Sequence, residues 1–214
     1  MAPSSFLKSS ARSDQVISVG SEIEPEFKEL IDEEVIRTDF VIQNVYSYLL
    51  KNVHYFEAIT AVNKREENLL YELLRIVDDF QSLNGAKIHT LCLDLHVTLS
   101  TLGSTVFGVS NELFTDGITW SRIIGLFVFI RELTIQSLAN SESDEIVDAM
   151  YECFFRLVKE TVKPWVDDHG GWEGVLSLKA KKNILDKSEG WAKNILRRTA
   201  SVIGTIAHLS NLPY

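Results

Sequence analysis

Arg122 stands where its chemistry could be put to use. It closes the stretch Thr119-Trp120-Ser121-Arg122 and opens a run of eight apolar or small residues, Ile123 to Ile130. A guanidinium is planar, always charged and carries a fork of donors, so it suits the capture of a carboxylate at a partly desolvated edge. A bland role, a solvated cation at a helix start, sets its charge slightly against the helix dipole. That mismatch favours binding. Thr119 is placed to cap the helix that Arg122 opens.

Other reactive groups make a poorer case. His89, Cys92 and His96 fall at i, i+3 and i+7, so one helical face brings them together as zinc ligands would be. No fourth ligand accompanies them. Asp167-Asp168-His169 has metal-like residue types but sits at a helix end. Cys92 and Cys153 are far apart and form no knuckle or redox motif, which reads as two buried thiols in a reducing compartment. No nucleophile elbow, phosphate loop or pair of catalytic carboxylates is found. The expectation is a protein with no catalytic residue, no metal site and no cofactor.

The elements that must position Arg122 are helical. A chain of 214 residues that is 45% hydrophobic can fill one core. Residues 1–24 are Ser-rich without a sustained period and read as a mobile leader. Phe40, Val41, Val45, Tyr48 and Leu49 recur at helical spacing, which predicts a helix ending near Asn52, followed by a polar connection around residues 63–67. Leu69, Leu73, Ile76 and Phe80 form a second stripe, which Asn84-Gly85 should stop. Weaker helical pieces cover about 87–95 and 101–114. The run from Ile123 to Ile130 has no polar face, so its helix must be surrounded by protein. By itself that run is too short to span a membrane. Ser141-Glu142-Ser143-Asp144 reads as a capping box. The helix after it, with Ile146, Met150, Cys153, Phe154 and Leu157 on one side, should stop before Pro164. A short helix is expected over 172–178 and a last one over 191–209.

Charge is unevenly placed. From Lys179 onward seven basic residues face two acidic ones, a net +5 within a chain whose total is −9, so the body before it carries −14. Such a body is unsuited to nucleic acid, which needs a basic patch. The basic segment precedes a mostly small or apolar stretch, 199–212, which suits either an anionic membrane surface or a solvated helix face. No secretory segment opens the chain, and cytosolic exposure is expected.

Two segments in order carry a resemblance: Glu112-Leu113-Phe114-Thr115-Asp116-Gly117-Ile118-Thr119-Trp120-Ser121-Arg122 and Pro164-Trp165-Val166-Asp167-Asp168-His169-Gly170-Gly171-Trp172-Glu173-Gly174. They resemble the first and second homology regions of the B-cell lymphoma two (Bcl) family, helical regulators of apoptosis. Leu69, Leu73, Ile76, Asp78 and Phe80 resemble its third, or death, region, with Val77 where the family has a small residue. Leu95-His96-Val97-Thr98 is similar to a stretch of the survival-promoting members. The likeness covers about 32–178 and departs from the family at Thr119 and Ser121, where Asn and Gly are usual.

The resemblance implies an all-α bundle of eight or nine helices around a buried central hydrophobic hairpin. Residues 25–178 would form that domain, with a leader before it and a basic, partly apolar helix or tail over 179–214. It further implies a surface groove that takes an amphipathic partner helix, the partner's Asp pairing with Arg122. The groove positions are then Phe80, Leu83, Ile88, Leu91, Val109, Glu112, Leu113, Thr119, Arg122, Gly125 and Phe129. Val77, β-branched where a receptor would need a small residue, favours a third region that is structural in this chain. The implied partners are pro-apoptotic relatives, held through their third-region helices. The implied setting is the cytoplasm and the outer mitochondrial membrane, reached through the C-terminal tail. Two functions follow from the family: a survival-promoting sequestering protein, or a pore-forming executioner of the Bax and Bak type. A generic helical adaptor would leave the motif order unexplained.

Overall fold

A computed structural model describes residues 35–178 apart from Asp94, His96 and residues 141–143. All regular structure among the described residues is helical. The elements are α1 (Thr38–Leu50), α2 (Lys64–Leu93), α3 (Leu102–Phe114), α4 (Trp120–Asn140), α5 (Glu145–Leu157), a π-helical turn (Val158–Val162), α6 (Lys163–Asp168) and a 3-10 helix (Trp172–Leu178). The expected count of eight or nine helices included one over 191–209, which lies outside the described residues. So do the leader and the tail.

The all-apolar run behaves as its composition demands. Every residue from Ile123 to Ile130 is buried. Helix α4 is packed by α1, α2, α3, α5 and the 3-10 helix, which leaves its apolar run no face toward water. At 21 residues α4 is long and apolar enough to cross a membrane, yet here most of it is enclosed by protein. Its sequential partner α5 buries Ile146, Val147, Met150, Phe154 and Leu157. At the centre, Phe127 meets Phe154 edge-on with ring centroids 5.5 Å apart. Tyr46 of α1 adds a stacked contact to Phe154 at 6.0 Å and donates its hydroxyl hydrogen to the Val147 carbonyl at 2.8 Å.

Three boundaries differ from the sequence expectation. Asn84-Gly85 does not end a helix, and α2 runs through it for 30 residues. A glycine stops a helix by entering the left-handed region. The described residues that do so are Gly117, Gly170 and Gly171, and Gly85 is not among them. Asn84 is buried and its side-chain amide donates to the Phe80 carbonyl within the helix, at 3.2 Å. At the other end, residues 64–67 are not a connection but the first turn of α2. Asn63 accepts the Glu66 N–H through its side-chain oxygen at 2.9 Å and so starts the helix.

Pro164 likewise fails to end the helix before it. The π-helical turn precedes it, and the Lys163 N–H reaches back five residues to the Val158 carbonyl. A wider ring accommodates the missing N–H of proline and lets the chain continue into α6. Of the expected capping box only Asp144 is described. It stands at the N-cap of α5 but makes no side-chain capping bond.

A buried carboxylate ties α1 to α2. The Glu66 side chain is fully buried and accepts from the Arg37 N–H at 3.1 Å, from Arg37 Nε at 2.9 Å and Nη2 at 2.8 Å, and from the Val62 N–H at 3.1 Å. Burial alone would raise its pKa, but these donors outweigh that cost and hold it below the ordinary 4.5. A carboxyl whose folded pKa is depressed stabilises the fold above its unfolded value, and that contribution is lost as pH falls through the folded one. The native chain should therefore lose thermal stability on acidification more steeply than Glu66→Gln, which has no proton to gain there. Melting temperatures of the two proteins, followed below neutral pH, check this. Parallel curves would show that the clamp contributes nothing to acid sensitivity.

Candidate partner-helix groove

Arg122 is set by the turn that precedes it. Gly117 adopts a φ of 96°, open to glycine at little cost, and reverses the chain between α3 and α4. Thr119 then caps α4, its hydroxyl accepting the Arg122 N–H at 3.4 Å. The Arg122 side chain folds back over this turn. Nη1 donates to the Gly117 carbonyl, and Nη2 lies 3.4 Å from the Asp116 carboxylate. The Arg122 side chain is only 16% exposed, whereas that of Asp116 is 64% exposed. The outcome is a guanidinium at a sheltered edge with a carboxylate already beside it.

The apolar groove positions fall into two groups. Phe80, Ile88, Val109, Leu113 and Phe129 belong to one continuous core cluster and are each at most 5% exposed. Gly125 is buried with them. Leu83 is exposed, Leu91 and Glu112 are half-buried, and Thr119 lies on the surface. In this conformation the first group is part of the core, and the second group reaches the surface.

The third-region stripe is used inside the molecule. Leu69, Leu73, Ile76 and Phe80 are buried, as is Val77, so the β-branched residue packs into the chain's own core. Asp78 points outward and accepts the Tyr48 hydroxyl of α1 at 2.6 Å.

The two tryptophan motifs meet at one end of the bundle. Trp120 lies edge-on to Trp165 at 5.2 Å and tilted to Trp172 at 6.2 Å. Trp172 donates its indole N–H to Thr38 at 3.1 Å and so anchors the start of α1. Gly174 lets the 3-10 helix approach. A Cβ there would lie 2.6 Å from the His169 carbonyl oxygen and 2.7 Å from the Trp120 ring. Gly170 and Gly171, with φ of 86° and 66°, form the turn that delivers it.

Sequence reasoning missed an open cleft of about 960 Å³ lined by the end of α1, the middle of α2 and Arg131 and Glu132 of α4. None of the eleven groove positions lines it, although Asp78 does. His89 faces it and lies 3.2 Å from Glu132, which is nearly buried. Cys92, one turn along, is fully buried, and burial together with the nearby Glu132 charge raises its thiol pKa. Cys153, expected to be buried, is half-exposed. Among the described residues no group of three His, Cys, Asp or Glu is arranged to hold a metal ion.

These features define a class: an all-helical bundle built on one enclosed central helix, with a sheltered arginine at that helix's start. The family model described as "Apoptosis regulator proteins, Bcl-2 family" matches residues 73–172. The chain is 32% identical over 124 residues to apoptosis regulator R11 of Xenopus laevis, a match that spans 58% of this chain and 60% of that one. It is 26% identical over 113 residues to human Bcl-2-like protein 1, spanning 53% and 48% respectively. Among solved structures it resembles Trichoplax adhaerens trBcl-2L2 bound to trBak BH3, with a TM-score of 0.57, 25% identity and coverage of 64% of this chain and 93% of that one. In sequence over residues 73–172 and in fold, this chain is thus similar to the Bcl-2 family. It spans about half to three-fifths of the length of these two relatives.

Proposed function

We propose that this chain is a survival-promoting regulator of apoptosis that sequesters the amphipathic third-region helices of pro-apoptotic relatives. It acts by binding, and no catalytic step is part of this reading. The groove lies between α2, α3 and the first turns of α4. Four apolar anchors of the ligand enter it, and the ligand's Asp pairs with Arg122. Arg122 is the observation that carries the reading. A sheltered guanidinium at the head of the central helix, with a carboxylate at 3.4 Å, is already arranged as an acceptor of carboxylates. The structural relative from Trichoplax, bound to a third-region helix of a Bak protein, supports the same mode. Because Phe80, Ile88, Val109, Leu113 and Phe129 are covered in this conformation, anchors reach them only as α2 and α3 part. Binding therefore includes the free energy of that opening.

The chain's own third region supports the direction. Its anchors are buried in the core, and its Asp78 is held by Tyr48, so it is part of the fold and not a ligand to be offered. In this reading the chain works in the cytoplasm, in association with the outer mitochondrial membrane, which the basic composition after Lys179 suits. One observation favours the second reading, an executioner that permeabilises that membrane: α4 is long and apolar enough to cross a bilayer once released from the bundle.

The two readings part in one experiment. A peptide carrying the third-region helix of a Bak relative is titrated calorimetrically, and dye release from anionic liposomes is followed with the same mixture. Saturable binding without release is the expected result. Release triggered by the peptide would establish the executioner instead.

A further inference from the structure

In this structure Arg122 is already paired with a carboxylate from its own chain. Asp116 lies six residues before it, across the Gly117 turn, and reaches Nη2 at 3.4 Å. Nη1 is held by the Gly117 carbonyl, a neutral acceptor that no incoming acid needs to displace. We propose that Asp116 is a built-in competitor for Arg122, which a partner's carboxylate must displace before it can bind. This rests on the groove reading above and adds a regulator to it.

The geometry sets the strength of the competition. A full charge-assisted hydrogen bond between guanidinium and carboxylate is about 2.7–2.9 Å long. At 3.4 Å and with its side chain 64% exposed, Asp116 makes a loose contact. Exposed pairs of this kind are weak, so the competitor lowers affinity without abolishing it. The Gly117 carbonyl meanwhile keeps the guanidinium aimed, which leaves Nη2 for the newcomer. Ligands lacking the acid gain nothing from Asp116 and lose nothing to it. The pair therefore acts as a filter, admitting helices whose carboxylate meets Arg122 more closely than Asp116 does.

The test uses the full chain, the Bak third-region peptide and the same peptide with its Asp changed to Ala. Asp116→Asn, with Asp116→Ala as a second variant in case the amide keeps the contact, removes the competing charge at an exposed position. Both variants should tighten the acid-bearing peptide by about two- to fivefold. The affinity of the Ala peptide should not change. Equal tightening of both peptides would overturn the proposal, since it would mean that the turn had loosened. So would unchanged or weaker binding of the acid-bearing peptide, which would make Asp116 an aligning residue for Arg122. If neither peptide binds the native chain or either variant, the groove reading itself fails and the competitor falls with it.

Discussion

Replacing Phe127 by alanine is expected to lower unfolding free energy by about 3–5 kcal/mol, the range for truncating a large buried aromatic. Phe127 is fully enclosed, edge-on to Phe154 at 5.5 Å and tilted to Trp172 at 6.5 Å. It therefore joins α4 to both α5 and the closing 3-10 helix. Five neighbouring elements surround α4, so no single one can move in to fill the gap. Lost transfer free energy and an unfilled cavity then add together. Chemical denaturation of the native and variant chains measures the difference. A loss below about 1 kcal/mol would mean that the site collapses around the missing ring, contrary to a tightly enclosed central helix.

Arg122→Ala should leave the fold intact and weaken the Bak third-region peptide by about 2–3 kcal/mol, because the peptide's Asp becomes sheltered and unpaired. The fold tolerates the change because Asp116, the partner left behind, is well exposed. Changing the peptide's Asp to Ala should cost a similar amount against the native chain. The two changes together should cost less than their sum, since both remove one pair. Salt should blunt the single losses only modestly if the pair is sheltered, as a side chain 16% exposed implies. Strictly additive losses would mean that Arg122 and the ligand's Asp never meet.

What the sequence disclosed follows from which signals are local. Eight consecutive apolar or small residues leave a helix no wet face, so the burial of Ile123 to Ile130 could be read without coordinates. The same holds for Gly117, Gly170 and Gly171, whose surroundings demand a turn and whose φ values are positive. Asn84-Gly85 misled because a stop signal is only a propensity. Packing of Phe80 and Ile88 on either side holds the backbone helical there. Glu66 was invisible as a hub, since one acid in Lys64-Arg65-Glu66-Glu67 looks like a solvated turn until Arg37 arrives from 29 residues away. The cleft beside Asp78 was equally hidden, its lining being gathered from three helices. The Arg122–Asp116 contact lay close in sequence. It still depended on which way the turn points the guanidinium, and that is a three-dimensional fact.

The π-helical turn at Val158–Val162 works as a phase shifter. Each residue of an α-helix advances the chain by about 100° around the axis, so an extra residue held in one wide turn rotates everything beyond it by about that angle. Val158, Val162 and Val166 are all buried around it, and Trp165, half-buried, meets Trp120 edge-on. Beyond the turn, orientation is thus encoded by the number of residues more than by their identity. The segment can be respelled so long as its valines stay apolar. A one-residue deletion would swing Trp165 and Val166 away from the core while leaving every remaining letter correct.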